Sequence, residues 1–243
     1  MESHAPTMTH SRPHAMRTLA VDIGGTGIKA LVLSATGKAL TERARVKTPR
    51  PATPGAVLNT IAGLAKEQGK FDRVSVGFPG VVRRGVTVTA PHLDGNWRNF
   101  RLAEALSKKL AKPVRVANDA DVQGLGAIKG YGVELVITLG TGFGSALFVD
   151  GRLVPNLEMA HHPFQKNQTY DEKLGDTARK KIGKKKWNGR LLKAIATLEH
   201  LFNYDHLYIG GGNAKKIISK LPSNTRIVEN VAGLLGGIAL WHD

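Results

Sequence analysis

The stretch VDIGGTGIKALVL, residues 21–33, sets the reading of the whole chain. A strand-like run ends in Asp22, two glycines and a threonine follow, and a second β-rich run reaches Leu33. Gly24 and Gly25 let the backbone approach a ligand closely. Their N–H groups can point at phosphate oxygens, as other backbone nests do for anions, and Thr26 adds a hydroxyl. Asp22 cannot itself attract a phosphate. It makes sense beside the turn if it meets a hydrated Mg²⁺, which binds through one or two carboxylates and several waters. Lys29 brings positive charge nearby. Taken alone, the same stretch is equally a glycine-rich hairpin with a solvated Asp and Lys.

The pattern returns. LGTGFGSA (139–146) is a second glycine and threonine turn, and IGGGNAK (209–215) is a third, set between a strand and a helix. That junction is where backbone donors and a helix N-terminus favour anions. No Walker motif of the form GxxxxGK[ST] is present. Setting Ile23 against Leu139 brings Gly24 onto Gly140 and Ala30–Leu31 onto Ala146–Leu147. One architecture occurs twice, about half a chain apart.

The remaining elements fill in both halves. Residues 17–24, 28–34 and 38–47 read as a three-stranded meander. Val57, Ile61 and Leu64 then mark a helix that Gly69 stops. RVSVGFPG is a strand running into a turn, and Val86–Val88 is a further strand. NFRLAEALSKKLAK has the period of an amphipathic helix, closed by Pro113. VRVAN is a short buried strand, and 118–129 a helix with Asn118 or Asp119 at its N-cap. After the second meander come helices over 171–203, the strand HLYIGGGN, a helix over about 213–220, the strand TRIV and a last helix, NVAGLLGGIALW. This order predicts two α/β domains with a cleft between them. The expected division is a disordered tail over 1–16, an N-terminal domain over 17–117 and a C-terminal domain over 118–228. The last helix, about 229–243, is expected to pack back on the first domain.

Composition narrows the classes. The 243 residues are 42% hydrophobic, which suits a globular protein with real cores. Without cysteine there are no disulfides, thiol nucleophiles or cysteine-based zinc sites. No apolar run approaches a membrane span, and residues 1–16 lack the apolar core of a signal peptide. A cytoplasmic protein is expected. The formal net charge of +16 favours a polyanionic partner. The excess is concentrated in ARKKIGKKKWNGRLLK, residues 178–193, although such charge runs are often only a solvated helix face.

In order and spacing, DIGGTGIK, VANDAD, LGTGFGSA, LEMAHH and YIGGGNAK resemble the motifs of the ROK sugar kinases, from about Thr18 to Trp241. Within that family the short length, the absent cysteines and the GKKKW and LYIGGGNAKK segments look most like polyphosphate glucokinases. The resemblance implies the duplicated actin-like/hexokinase fold, ribonuclease H-like in each half. It also implies phosphoryl transfer from inorganic polyphosphate, and from ATP, to the 6-hydroxyl of glucose, with Mg²⁺ as cofactor. Asp22, Gly24, Gly25, Thr26 and Lys29 then match the first phosphate motif, Thr141 and Gly142 the second, and Gly210, Gly211 and Gly212 the nucleotide-side loop. Asn118 and Asp119 match the family's Asn-Asp pair, which places both at the sugar and makes Asp119 the catalytic base. Glu158 and His161 match the sugar-binding ExGH motif, and Glu172 a further sugar-binding glutamate. Chemistry supports Asp119 separately, because a sugar hydroxyl must be positioned and must lose its proton. Asp119 also reads as a helix cap, and Asp121 competes with it as a neighbour or metal contact.

Two departures from the family pattern stand out. The ExGH glycine is Ala160, and His92 occupies a loop that many relatives fill with Asn near the sugar. No structural zinc is expected. Lys180, Lys181, Lys184, Lys185 and Lys186, with Arg179 and Arg190, form a candidate polyphosphate track. Two alternatives are an ATP-dependent kinase for another hexose, such as mannose or an amino sugar, and a sugar-responsive nucleic-acid-binding regulator. The 16-residue tail is too short for a helix-turn-helix domain, which disfavours the regulator. The expected partners are glucose, polyphosphate and ATP, with no membrane and no specific nucleic acid. A homodimer, common among relatives, is also expected.

Overall fold

A computed structural model describes residues 15–228 and 232–242. Most of the expected tail, and the first residues of the expected last helix, lie outside these described residues. The first meander forms β1 (Thr18–Ile23), β2 (Ile28–Leu33) and β3 (Ala44–Val46). β1 and β2 are apolar along almost their whole length and buried on both faces, as central strands covered on two sides must be. α1 (Pro54–Gln68) comes next, with Thr53 as N-cap, proline in its first turn and Gly69 at φ 80° ending it. Then come β4 (Arg73–Phe78), the small hairpin β5 (Val82–Arg83) and β6 (Val86–Thr87), α2 (Leu102–Leu110) and β7 (Val114–Asn118).

The second half begins with α3 (Asp119–Leu125), then β8 (Val133–Leu139), β9 (Phe143–Val149) and β10 (Arg152–Val154). A hairpin of β11 (Pro163–Gln165) and β12 (Gln168–Thr169) leads into α4 (Tyr170–Leu174), α5 (Asp176–Ile182) and the long α6 (Lys184–Phe202). β13 (His206–Gly210), β14 (Thr225–Ile227) and α7 (Ala232–Leu235) complete the described elements.

The two large sheets have one topology. Their strand orders are β3-β2-β1-β4-β7 and β10-β9-β8-β13-β14. In each, the meander is antiparallel and the last two strands join in parallel. The internal repeat is therefore real, but its register needs one correction. The second turn is a residue shorter than the first, since Ile23 faces Ile28 while Leu139 faces Phe143. Val21 pairs with Ala30 and Ile137 with Ser145, so keeping Gly24 on Gly140 places Ala30 on Ser145 and not on Ala146.

Other expectations also shift. β3 is shorter than its run because residues 38–43 make only one isolated bridge, Ala39 to Leu33. β7 is half-buried, not buried, because it is an edge strand. The expected helix over 213–220 is a single 3₁₀ turn, Ala214–Lys216. Buried Asn188 of α6 holds the chain at the end of that turn. Its Oδ1 accepts the Ile218 N–H (2.8 Å) and its Nδ2 donates to the Lys216 carbonyl (3.1 Å). The last helix breaks after Leu235. At Gly236 a Cβ would overlap the Val122 carbonyl, and the Gly237 carbonyl accepts Ser75 Oγ at 2.5 Å.

Each sheet carries two cores. α1 and α2 cover one face of the first sheet around Ile61, Phe78 and Leu106. Leu234 and Ile238 cover its other face against Ala20, Leu31 and Leu33. In the second half, α4 and α6 pack Tyr170, Trp187 and Leu191 on one face, while α3 meets Phe148 and Tyr208 on the other. The C-terminal segment is pinned to the first sheet by Ser75, which also accepts Trp241 Nε1 at 2.8 Å, with Arg73 and Arg115 over the Trp241 ring. Ser75→Ala removes a buried donor and acceptor together. It should lower stability by about 1–3 kcal/mol, read as a lower thermal midpoint, while leaving the Asp119 cleft in place.

Candidate active site

The loops at the facing ends of the two sheets enclose a cleft of about 570 Å³, within the range of ligand pockets. The first half contributes Asp22, Gly24 to Gly27 and Lys29, and the second contributes Gly140 to Gly144, Gly211 and Gly212. Asn118 and Asp119 line it at the β7–α3 joint, with Glu158, Ala160 and His161 alongside.

The first turn is tightly specified. Gly24 N–H donates to the Gly27 carbonyl (3.0 Å), so it closes the turn and does not face a ligand. Thr48 Oγ1 donates to the Gly24 carbonyl (2.5 Å) and Arg50 to the Gly25 carbonyl (2.9 Å). The N–H groups of Gly25 and Thr26 have no acceptor among the described residues. Asp22 and Lys29 face each other across β1 and β2, and Lys29 Nζ donates to Asp22 Oδ2 at 2.7 Å.

The other two turns interlock. Asn213 N–H donates to the Leu139 carbonyl (2.8 Å) and Asn213 Nδ2 to the Gly140 carbonyl (3.0 Å). Gly211 sits at φ +87°, where a Cβ would collide with the Leu139 backbone. Gly210 is buried at the end of β13, lies against Gln123 and does not line the cleft. Gly142 leaves no room for a Cβ between Asp171 and His92. His92 comes from the first half and also lies against Gly25. It therefore stands between two glycine turns of opposite halves.

Asn118 is the N-cap of α3. Its Oδ1 accepts the N–H groups of Ala120 (2.8 Å) and Asp121 (3.3 Å), and its Nδ2 donates to the Gly80 carbonyl (3.2 Å). The cap turns Asp119 into the cleft. Asp119 keeps some surface open to the cleft, but protein crowds it from both walls. Burial, then the charge of Asp22, and further Glu158 and Asp121, push its carboxyl up to about 7 against the pull of the Ala120 N–H. Asp121 is 4% exposed. Burial and Glu158 push it to about 7 as well, and the Asn156 N–H works against them. Glu158 is raised by burial and lowered by His161, whose Nε2 is 3.8 Å from Glu158 Oε2.

Glu172 is not in the cleft. Its carboxylate accepts the Thr169 N–H (2.8 Å) and completes the capping box of α4 on an exposed surface. Its neighbour Asp171 lines the cleft and accepts the Phe143 N–H at 2.7 Å. Sequence reading also passed over Asp176, Asn213 and Gln123. Asp176 donates its N–H to the Gly140 carbonyl (3.1 Å) and is held down to about 2 by Lys180 and Arg179. Those two cations of the basic run are thus paired, at 2.7 Å each. Lys184, Lys185 and Lys186 are exposed at the start of α6 and line no part of the cleft.

Among the described residues, no three carboxylates and histidines converge on one metal position. Asp22, an oxygen donor beside a phosphate-shaped turn, suits a Mg²⁺ that arrives on a phosphate, since that ion keeps most of its waters. Among the described residues, no helix is long and apolar enough to cross a membrane.

Two glycine-turn walls face each other across a cleft that holds a buried cluster of carboxylates. The ROK family pattern matches residues 18–163, and the chain belongs to that family. Within it the chain is a homologue of the polyphosphate glucokinases. It is 32% identical over 233 residues to the polyphosphate glucokinase of Mycobacterium tuberculosis (strain H37Rv), covering 89% of this chain and 88% of that one. The crystal structure of inorganic polyphosphate/ATP-glucomannokinase from Arthrobacter sp. strain KM superposes with a TM-score of 0.85 at 35% identity, covering 93% of this chain and all of the other. A ROK glucokinase from Streptomyces griseus, crystallised with glucose and AMPPNP, shares the fold at TM-score 0.77 and 21% identity over 92% of this chain and 98% of that one. The architecture is the two-domain, actin-like fold of ROK kinases and hexokinases.

The raised Asp119 carboxyl has a stability consequence. The folded state holds this proton more tightly than the unfolded chain, so between about pH 4 and 7 the folded state binds more protons and stability falls as pH rises. Above that window the cost is complete. Asp119→Asn removes it, so the variant should melt above the parent at pH 8, and the gap should close by pH 4. Parallel melting curves at both pH values test this, and an equal gap at both would contradict the assignment.

Proposed function

We propose that the chain transfers a phosphoryl group from inorganic polyphosphate, and from ATP, to the 6-hydroxyl of glucose. One observation carries the reading: Asp119, raised to about 7, stands in a cleft walled by glycine turns from both halves. The names of the relatives support both donors and the sugar. The Arthrobacter enzyme's name also includes mannose, and Ala160 stands for the glycine within the ExGH motif, so mannose is the second acceptor to test.

In this reading Glu158 and His161 hold sugar hydroxyls while Asp119 faces the reacting one. The hydroxyl oxygen attacks the terminal phosphorus, its proton passes to an Asp119 carboxylate oxygen, and the bridging oxygen leaves with the shortened donor. N–H groups of Gly25, Thr26 and the second turn meet the phosphate oxygens, and Lys29 offsets charge beside Asp22. A donor-bound Mg²⁺, held by Asp22, would neutralise charge on the phosphates. Asn118 acts through Asp119: as the cap of α3 it fixes the direction of that carboxylate.

A matrix of glucose and mannose against ATP and polyphosphate, with Mg²⁺, tests the reading. Turnover of glucose with polyphosphate is expected, and no phosphorylation of any hexose would sink it. Asp119→Asn should lower kcat by roughly 10²–10⁴-fold while calorimetric glucose binding persists. In the parent, kcat should fall as pH drops through about 7, because the base must be ionised to accept the proton. Glu158→Gln should raise KM for the sugar more than KM for either donor.

A further inference from the structure

Outside the cleft, α6 forms a groove with the β11–β12 hairpin and α4, lined by Lys166, Lys173, Lys186, Arg190 and Lys193. The remaining lining residues, Gln165 and Gly189, are uncharged. Lys186, Arg190 and Lys193 are spaced i, i+4 and i+7, so they share one face of α6 over about 10 Å. Lys173 is 6% exposed, which leaves its ammonium only the groove to reach. Among the described residues none of the five is ion-paired, in contrast to Arg179 and Lys180, which both pair with Asp176. Five like charges in one groove repel one another unless an anion lies among them.

The groove is separate from the catalytic cleft. No residue lines both. On α4, Asp171 faces the cleft and Lys173 the groove, two residues and therefore about 200° apart.

We propose that this groove is a second polyanion site, which anchors the body of a long inorganic polyphosphate chain outside the catalytic cleft. Its role in turnover rests on the donor reading above. A linear row of cations suits a chain of phosphates better than one compact ion. No aromatic side chain lines the groove, whereas single-stranded nucleic acid is usually held by bases stacked on aromatics. An anchored chain keeps its free end at high effective concentration near the cleft, a gain that short donors lack.

The test uses the full chain and two variants, Arg190→Gln/Lys193→Gln on the exposed helix face and Lys173→Met, which keeps an apolar stem. Equilibrium binding of long-chain polyphosphate, tripolyphosphate and a single-stranded RNA is measured at low and moderate salt, with ATP-dependent glucose kinetics as the control. Both variants should bind long-chain polyphosphate at least about fivefold more weakly, with a shallower salt dependence. Tripolyphosphate binding, ATP kinetics and the melting midpoint should not move. If the parent bound the long chain and the variants lost it, yet neither used it as a donor, the anchor would stand and the donor reading would fall. Undiminished long-chain binding in both variants would overturn the anchor even if the parent turned polyphosphate over. A loss confined to RNA would overturn it in favour of nucleic acid, and an equal loss of ATP turnover would overturn its separation from the cleft.

Discussion

The joint between β7 and α3 is the constraint on which the cleft depends. β7 belongs to the first sheet, and α3 packs on the second against Phe148 and Tyr208. Only one residue, Asn118, ends the strand and caps the helix. Its side chain is committed at both ends, to the first turn of α3 and to the Gly80 carbonyl of the first half. Asp119 is thereby held facing the cleft. A carboxylate held this way loses little freedom when a hydroxyl arrives, which is how a fixed group contributes to rate.

That fixed position also explains why acids gather in a chain of net charge +16. Asp22, Asp119, Asp121 and Glu158 crowd one region, where their mutual repulsion and burial raise the proton affinity of Asp119 and Asp121. Burial raises that of Glu158. Of these four, among the described residues, Asp22 alone has an ammonium within ion-pair distance, from Lys29. The difference sorts their roles. Asp22 is held by Lys29, whereas Asp119 and Asp121, raised to about 7, are poised to take a proton near neutrality. Asp121 has an Oδ1 with no hydrogen-bond partner among the described residues and lies on the buried side of α3. It modulates the cluster from behind and is not exposed to a substrate.

Much of this was legible in the sequence because it is local. Glycine turns after apolar runs, an Asn-Asp cap and the repeat of the meander are signals carried by neighbouring residues. What was illegible depends on partners far along the chain. Glu172 and Asp171 differ by one residue, and the phase of α4, set by its capping box with Thr169, decides which carboxylate reaches the cleft. The helix expected over 213–220 lost to the side chain of Asn188, some thirty residues earlier. The repeat alignment slipped by one because turn length is a backbone property that similar residues hide. Gly210 looked like a phosphate contact, and its neighbour Gly211 supplies the positive φ while Gly210 gives way to Gln123.

The basic run illustrates the same limit in the charge pattern. In sequence, residues 178–193 form one cluster. In space the helix break at Gly183, with φ +80°, divides it. Arg179 and Lys180, before the break, fold back on Asp176 beside the cleft and share its carboxylate. The cations after it are carried outward by α6, and one face joins Lys166 and Lys173 from other elements. A glycine that changes the direction of the chain thus converts a uniform charge run into two surfaces of different character. Beside the cleft, Asp176 offsets part of the charge of Arg179 and Lys180. The outer one stays unbalanced, and its attraction for a polyanion reaches solvent over about a Debye length.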